Sequence, residues 1–571
     1  MLVQAELNAE PGDTFELWAR RKSSATSIPS PALTIFAGDR IVYRIVALPP
    51  YFEHFAHTHY SRERLRLEWN SDEIEPSLFY RYNPATVRDE GISFLRLTDA
   101  GLESWSIDKL PHWYATEAGR PTLRFSPPQG WMNDPNGLCK LGDDYHLFYQ
   151  FHPNGTDWGP MHWGHAVSRD LYRWTHLPVF VHPQHNLAAL GATGGAFSGN
   201  AFFDRDGQLS FYYTERLPAY DLFTDYKEIQ KQMVPSDDLL RPVANRVVQT
   251  EGGPGTAHDV RDPKVWYDDE EGLYRMVLGA AVDGDPAILL HSSFDGHAWT
   301  FTSVLYRAPS RFRVGGARSA ECPDFFRLGE HWVLIAGFVG YTESETGRHN
   351  LLYASIGTYS NGAFTPYSDD LQELDFGTDY YAMQSFWDGE RQLALAWLFN
   401  WEFRKPAGSA YSGEMSLPRI LSVNADRQLT MRPEPGYKIL RSERLVEKGE
   451  LLSIPNRQDA VELDLRGDLT GLHIVGRSSI GTSFSLRHEG AALRIEVPED
   501  LGGTIIYRSE DVALKSVHLF FDRGVIEIFA NDGSVCGTRR TYQMDDLSEL
   551  EVRANSIETV DVWQLSSAWG D

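Results

Sequence analysis

The chain has 571 residues, more than one hydrophobic core can organise, so several domains are expected. A formal net charge of −26 excludes nucleic acid and anionic membrane as natural partners, because both demand basic surfaces. Three cysteines, Cys139, Cys322 and Cys536, exclude a disulfide framework, while 16 Trp within a 13% aromatic content suit sugar stacking as well as β-rich cores.

The N-terminus, Met1 to Asp13, has neither an apolar run nor a basic lead, so no signal peptide is read and a cytoplasmic location is expected. No apolar run reaches transmembrane length. Residues 1–118 carry alternating strands such as Arg40–Val46 and Arg64–Trp69, which predicts an accessory β-rich N-terminal domain. Packing on a neighbouring domain, oligomerisation and carbohydrate binding all stay open for it, and so does a homo-oligomer.

Residues 119–432 carry a repeat. A turn rich in Gly, Asp and Glu runs into a short apolar strand five times, with glycines at 142, 207, 272, 329 and 389, spaced 65, 65, 57 and 60 apart. A second echo, Ser-x-Asp-x-x-x-Trp, occurs at Ser168/Asp170/Trp174 and Ser293/Asp295/Trp299. Near-regular short-strand units predict a five-bladed β-propeller. Residues 433–571 are again strand-rich, with the hairpin cue Asn531-Asp532-Gly533, and predict a C-terminal β-sandwich. The expected fold class is therefore all-β.

A polar residue precedes each repeat turn by 8 to 10 positions: Asp134, Ser198, Asp262, Glu321 and Asp379. Equivalent inner strands would bring these residues together at one end of the channel. Three carboxylates in one place push a pKa upward and furnish a general acid, and paired carboxyl groups are the equipment of glycoside hydrolysis. On this reading Asp134 is the nucleophile, kept ionised by nearby donors beside the apolar plate of Trp131. Glu321 is the acid/base, its pKa raised by burial and by the other acids. Asp262 orients sugar hydroxyls, with Arg261 fixing its charge.

Trp131-Met-Asn-Asp-Pro-Asn-Gly137, Phe197-Ser-Gly199, Arg261-Asp-Pro263 and Glu321-Cys-Pro-Asp324, in that order, resemble the invertase/inulinase/levanase-type β-fructofuranosidases of glycoside hydrolase family 32. The likeness continues through His146–Phe151, Trp158–Ser168, Phe376–Ala382, Met415–Arg419 and Phe521–Gly533, and so covers residues 118 to 571. It implies a retaining double displacement through a covalent fructosyl-enzyme, a small carbohydrate substrate, and no metal or cofactor. It makes Asp134 the nucleophile, Asp262 the transition-state stabiliser and Glu321 the acid/base, and it puts Asn133, Gln150, Trp158, Phe197, Ser198 and Arg261 on the fructose ring. Two departures, Arg124 in place of the family's common His and Val234-Pro-Ser236 in place of Ala-Tyr-Ser, bear on specificity outside the first subsite. Fructosyl transfer, fructan hydrolysis, a non-catalytic sugar-binding propeller and a related arabinan-cleaving five-bladed family are the competing readings.

Other conspicuous residues read as structural. His162 and His165, three apart on a strand, face opposite sides and share no metal. Cys322 is a small buried residue, Trp163 belongs to the core, and Arg311-Phe312-Arg313 is a solvated loop.

Overall fold

The computed structural model describes residues 1–23, 32–218, 226–256, 259–398, 401, 405–445, 451–499 and 502–570; within 451–457 only the backbone is described. Nine antiparallel-dominated sheets account for nearly all of its regular secondary structure, and no helix among the described residues is long and apolar enough to cross a membrane.

Five of the sheets are the propeller blades. Their innermost strands are Gly130–Leu141, Gly195–Phe203, Arg261–Asp268, Ser319–Leu328 and Tyr381–Trp387. Each repeat glycine lies in the turn that leaves one of these strands. The second strand of blade one, Asp144–His152, is buried along almost its whole length. It lies between blades, so both of its faces must be apolar and its sequence does not alternate. The outermost strand of blade three, Thr300–Arg307, instead has a single buried residue, Leu305. The Ser-x-Asp-x-x-x-Trp echo is the outer turn of blades one and three. Asp170 accepts the amides of Tyr172 and Arg173, and Asp295 those of His297 and Ala298. The Trp174 and Trp299 indoles cap the carbonyls of Leu171 and Gly296.

The ring is clasped by Tyr411–Ser412, which leaves blade five and pairs parallel with Gly130 and Trp131 of blade one. Ahead of the propeller, residues 2–105 form a four-stranded and a five-stranded sheet. Leu65, Leu67 and Trp69 alternate inward along Glu63–Asn70 to meet Phe15, Leu17 and Phe79 between these sheets. The outer face of the five-stranded sheet packs on blade one: Tyr80 Oη accepts the Val179 amide at 3.0 Å, and Ser77 donates to the Pro153 carbonyl at 2.7 Å. After the propeller, two six-stranded sheets enclose a separate core around Leu463, Leu519, Phe521 and Ile528.

That C-terminal sandwich is locked to the propeller by buried ions. Arg124, fully buried, donates to Asp522 at 2.6 Å and to Glu527 at 2.8 Å; Glu527 also accepts from Arg419 at 2.8 Å. Arg124 therefore couples two domains, and it does not reach the outer sugar site suggested by its departure from the family pattern. Val234-Pro-Ser236 closes the outer turn of blade two, where Ser236 bonds Asp238 and the Arg241 carbonyl. Arg311-Phe312-Arg313 lies in a short helix, Ser310–Val314, rather than a loop: Phe312 is a core residue and Arg313 pairs with Asp285.

Candidate active site

Every inner strand breaks register at a corresponding place, and that of blade one does so a second time between Asn136 and Cys139. The irregularities fall between Met132 and Pro135, Ala196 and Gly199, Arg261 and Lys264, Glu321 and Asp324, and Tyr381 and Gln384. A bulge places two residues of one strand against less than two of its partner and re-aims their side chains. In blades three, four and five the first bulge residue is Asp262, Cys322 or Ala382, and all three have positive φ, at 63°, 49° and 50°. Non-glycine residues rarely accept that conformation, and its cost, about 1–3 kcal/mol each, collects at functional sites.

The bulges bring the acids together. Cys322 touches two of them: its amide donates to Asp262 Oδ2 at 2.8 Å, and its thiol lies 3.5 Å from Asp134 Oδ2. Its neighbour Glu321 accepts from Arg261 at 3.2 Å and from the Tyr381 hydroxyl. Asp134 also accepts from Ser198 Oγ at 2.5 Å and from Asn133 Nδ2 at 3.0 Å. Behind these donors Gln150 holds Ser198, and the Trp131 indole holds Asn133. The Asp262 amide is tied to Thr214 Oγ1 at 2.8 Å. Arg261 pairs with Asp259 at 3.1 Å and approaches Asp262 and Glu228 at 3.8 Å.

Aromatic rings border the acids. Trp131 contacts Trp397 and Trp401 at 5.6 Å between centroids; Trp158 stands edge-on to Phe197 at 6.0 Å and to Trp401 at 6.4 Å. Trp158 is half-buried and so presents surface to solvent, whereas Trp163 is fully buried with its indole on the Phe197 carbonyl. His162 packs against Trp18, while His165 stacks on Phe148 in the core. A cavity of about 920 Å³ opens at the other end of the same inner strands, among Phe202, Lys264, Tyr267, Phe326 and Trp387. Lys264 there is neutralised by Asp324 at 2.8 Å. That end offers room, but the convergent acids lie at the other.

Burial is the main cause that pushes the Asp134 carboxyl up to about 6, with the Glu321 charge adding to it; the bonds from Ser198, Asn133 and Cys322 oppose the shift. The donors expected to keep Asp134 ionised are present, yet burial outweighs them. Asp262 is pushed up to about 7, again mainly by burial, with Glu321 and Asp134 adding and Arg261 opposing. Burial works against the charge on Arg261 too, but the acids around it hold its pKa well above the usual value.

One residue expected here lies elsewhere. Asp379 precedes the inner strand of blade five and faces the C-terminal sandwich. It accepts from the Arg540 amide at 2.8 Å and pairs with Arg539 at 2.9 Å. The residue that does enter the cluster from blade five is Tyr381. It stands 8 positions before Gly389, the same offset as Asp134 before Gly142 and Glu321 before Gly329, so strict spacing would have selected it. Glu228, Asp259, Thr214 and Trp401 had no sequence signal, because their places depend on the second and third strands of blade two, on the approach to the inner strand of blade three and on the loop of blade five.

These values fix an expected pH response. As pH falls through the range from about 7 to about 6, Asp262 and Asp134 take up protons and the cluster loses its carboxylate charge, so kcat/KM should decline on the acid side there. Ser198 donates to the ionised form of Asp134 and lowers its pKa. Ser198→Ala should therefore move the acid limb to higher pH. A pH profile of the variant with an unmoved limb would remove Ser198 from this role.

The sequence comparisons accord with this geometry. Residues 124–433 match the Glycosyl hydrolases family 32 N-terminal domain, and residues 474–564 match the Glycosyl hydrolases family 32 C terminal domain. The chain is 32% identical to the sucrose-6-phosphate hydrolase of Zymomonas mobilis subsp. mobilis, over 80% of this chain and 92% of that protein. It is also 32% identical to an Escherichia coli raffinose invertase, over 81% of this chain and 96% of the other. A Bifidobacterium adolescentis family 32 structure superposes over 99% of this chain and 100% of its own, with a TM-score of 0.86 at 24% identity, so the N-terminal sheets belong to the shared fold. The chain belongs to glycoside hydrolase family 32 and is an enzyme of the β-fructofuranosidase class.

Proposed function

We propose that this enzyme removes terminal β-D-fructofuranosyl units from sucrose and short fructo-oligosaccharides by a retaining double displacement. In the first step Glu321 gives its proton to the glycosidic oxygen as the C–O bond breaks, and an oxygen of Asp134 bonds the anomeric carbon. In the second, a water attacks that carbon, Glu321 takes the water's proton and Asp134 leaves. Asp262 accepts hydrogen bonds from ring hydroxyls, and Arg261 balances its charge. Trp131 and Trp158 flank the sugar, and Asn133, Gln150, Phe197 and Ser198 complete its surroundings. One observation carries the reading: Asp134 and Asp262, 128 positions apart in sequence, both bond Cys322, the residue next to Glu321.

The reading takes residues 1–118, 119–432 and 433–571 as the three domains and the cytoplasm as the place of action. Methanolysis tests the stereochemistry: methyl β-D-fructofuranoside is the expected product, and the α-anomer would overturn retention. A second substrate reading, sucrose phosphorylated on glucose, is favoured by the Zymomonas mobilis relative and by Arg216, whose guanidinium stands 5.4 Å from the Phe197 ring centroid. A panel of sucrose, sucrose 6-phosphate, inulin, levan and an arabinan control separates the readings. The highest kcat/KM is expected on sucrose; a tenfold preference for the phosphate would establish the second reading. Glucose in excess of fructose at high sucrose would indicate transfer, and fructoside binding without turnover would indicate a sugar-binding protein.

A further inference from the structure

A second cluster of donor side chains lies where the N-terminal sheets meet blade one, apart from the sugar site. Glu16 is on the strand Thr14–Arg21, His54 is on its neighbour Glu53–Thr58, and His182 follows the outer strand of blade one, Thr175–Val181. One donor atom from each lies within 4.8 Å of the others, with His54 Nε2 and Glu16 Oε2 3.0 Å apart. We propose that Glu16, His54 and His182 form a binding site for a divalent transition-metal cation of the Zn²⁺ class, which pins the N-terminal sheets to the catalytic propeller.

The donor set has the right chemistry. Two imidazoles and one carboxylate are a recurrent zinc set, and imidazole disfavours Mg²⁺ and Ca²⁺, which prefer oxygen. The supporting residues hold the ligands in place. Tyr80 donates to Glu16 Oε2 at 2.8 Å and Tyr82 to Oε1 at 3.1 Å, which orients the carboxylate. Trp18 stacks flat on the His182 ring at 5.6 Å and contacts the His54 ring at 4.4 Å. His162 stands edge-on to His182 at 5.7 Å. Glu16 is buried, His54 half-buried and His182 exposed, so the cluster is anchored on one side and open to an entering ion on the other. A Glu–His ion pair alone would use one imidazole; the second, from a different part of the chain, is what turns a pair into a chelate.

The test is calorimetric titration of chelator-stripped, full-length protein with ZnCl₂, paired with Co²⁺ absorption spectra. Wild type should take up one Zn²⁺ per chain, give visible Co²⁺ bands and gain Tm on Zn²⁺ addition. His182→Ala, a change at an exposed position, should fold, retain sucrose turnover, weaken Zn²⁺ binding at least tenfold and lose the Tm gain. His54→Ala should do the same. No saturable Zn²⁺ uptake by wild type would overturn the site, and so would unchanged affinity in both variants.

Discussion

Asp134→Ala is expected to cut kcat on sucrose by a factor on the order of 10⁴, with the fold and Tm close to wild type, because a nucleophile acts as part of a unit that has no substitute. Glu321→Ala should lose about 10² to 10⁴, the usual worth of a positioned proton donor. The two losses differ in kind. A substrate with an activated leaving group, such as an aryl β-D-fructofuranoside, needs little protonation, so it should recover much of the Glu321→Ala loss and none of the Asp134→Ala loss. Steady-state kinetics of both variants on both substrates decide the matter. Near-normal sucrose turnover in both variants would remove the proposed chemistry, and equal recovery in both would remove the division of roles. Tyr381 and Arg261 both donate to Glu321 and so fix where its carboxyl group stands.

The second large effect is on stability. Glu527 is fully buried and accepts from Arg124 and Arg419, and none of the three side chains has solvent to turn to. Removing one partner of a buried ion group leaves uncompensated charge, at a cost of about 3–5 kcal/mol. Glu527→Ala takes a carboxylate from two guanidinium groups at once, although Arg124 keeps Asp522 and Arg419 keeps Thr538, so its cost should fall within that range. The Asp379→Ala variant removes the carboxylate that pairs with Arg539 at the same interface and should show the same phenotype, a lowered Tm with kcat preserved in the fraction that remains folded. Thermal unfolding followed by far-UV circular dichroism measures both. As a contrast, Asp157→Ala breaks an exposed pair with Lys405 and should cost less than about 1 kcal/mol. A Glu527→Ala Tm within a degree of wild type would show that the sandwich is not held by these ions.

The architecture was legible where the sequence repeats a local necessity. A turn that leaves an inner strand needs glycine or a residue tolerant of left-handed backbone, and Gly142, Gly207, Gly272, Gly329 and Gly389 all have positive φ. Their spacing therefore marked the blades. The three acids were legible because they lie just upstream of those turns. Asp379 misled because proximity to a turn does not report which way a side chain faces; two residues on, Tyr381 does enter the cluster. The bulges could not be read at all, since a register break is a relation between two strands and neither strand shows it alone. Arg124 was legible as a departure but not as a partner of Glu527, which lies 403 positions away in another domain.

The shared register break has a consequence for how chemistry is distributed around the ring. The same kink recurs in all five blades, yet its three successive positions carry Arg261, Glu321 and Tyr381 first, Asp262 and Cys322 next, and Asp134 and Ser198 after. A common backbone distortion thus serves as a mount, and what is fitted to it differs from one unit to the next. Exchanging a fitting alters the local chemistry while the mount stays as it is, so one backbone form presents a carboxylate, a guanidinium, a phenol or a thiol without being rebuilt.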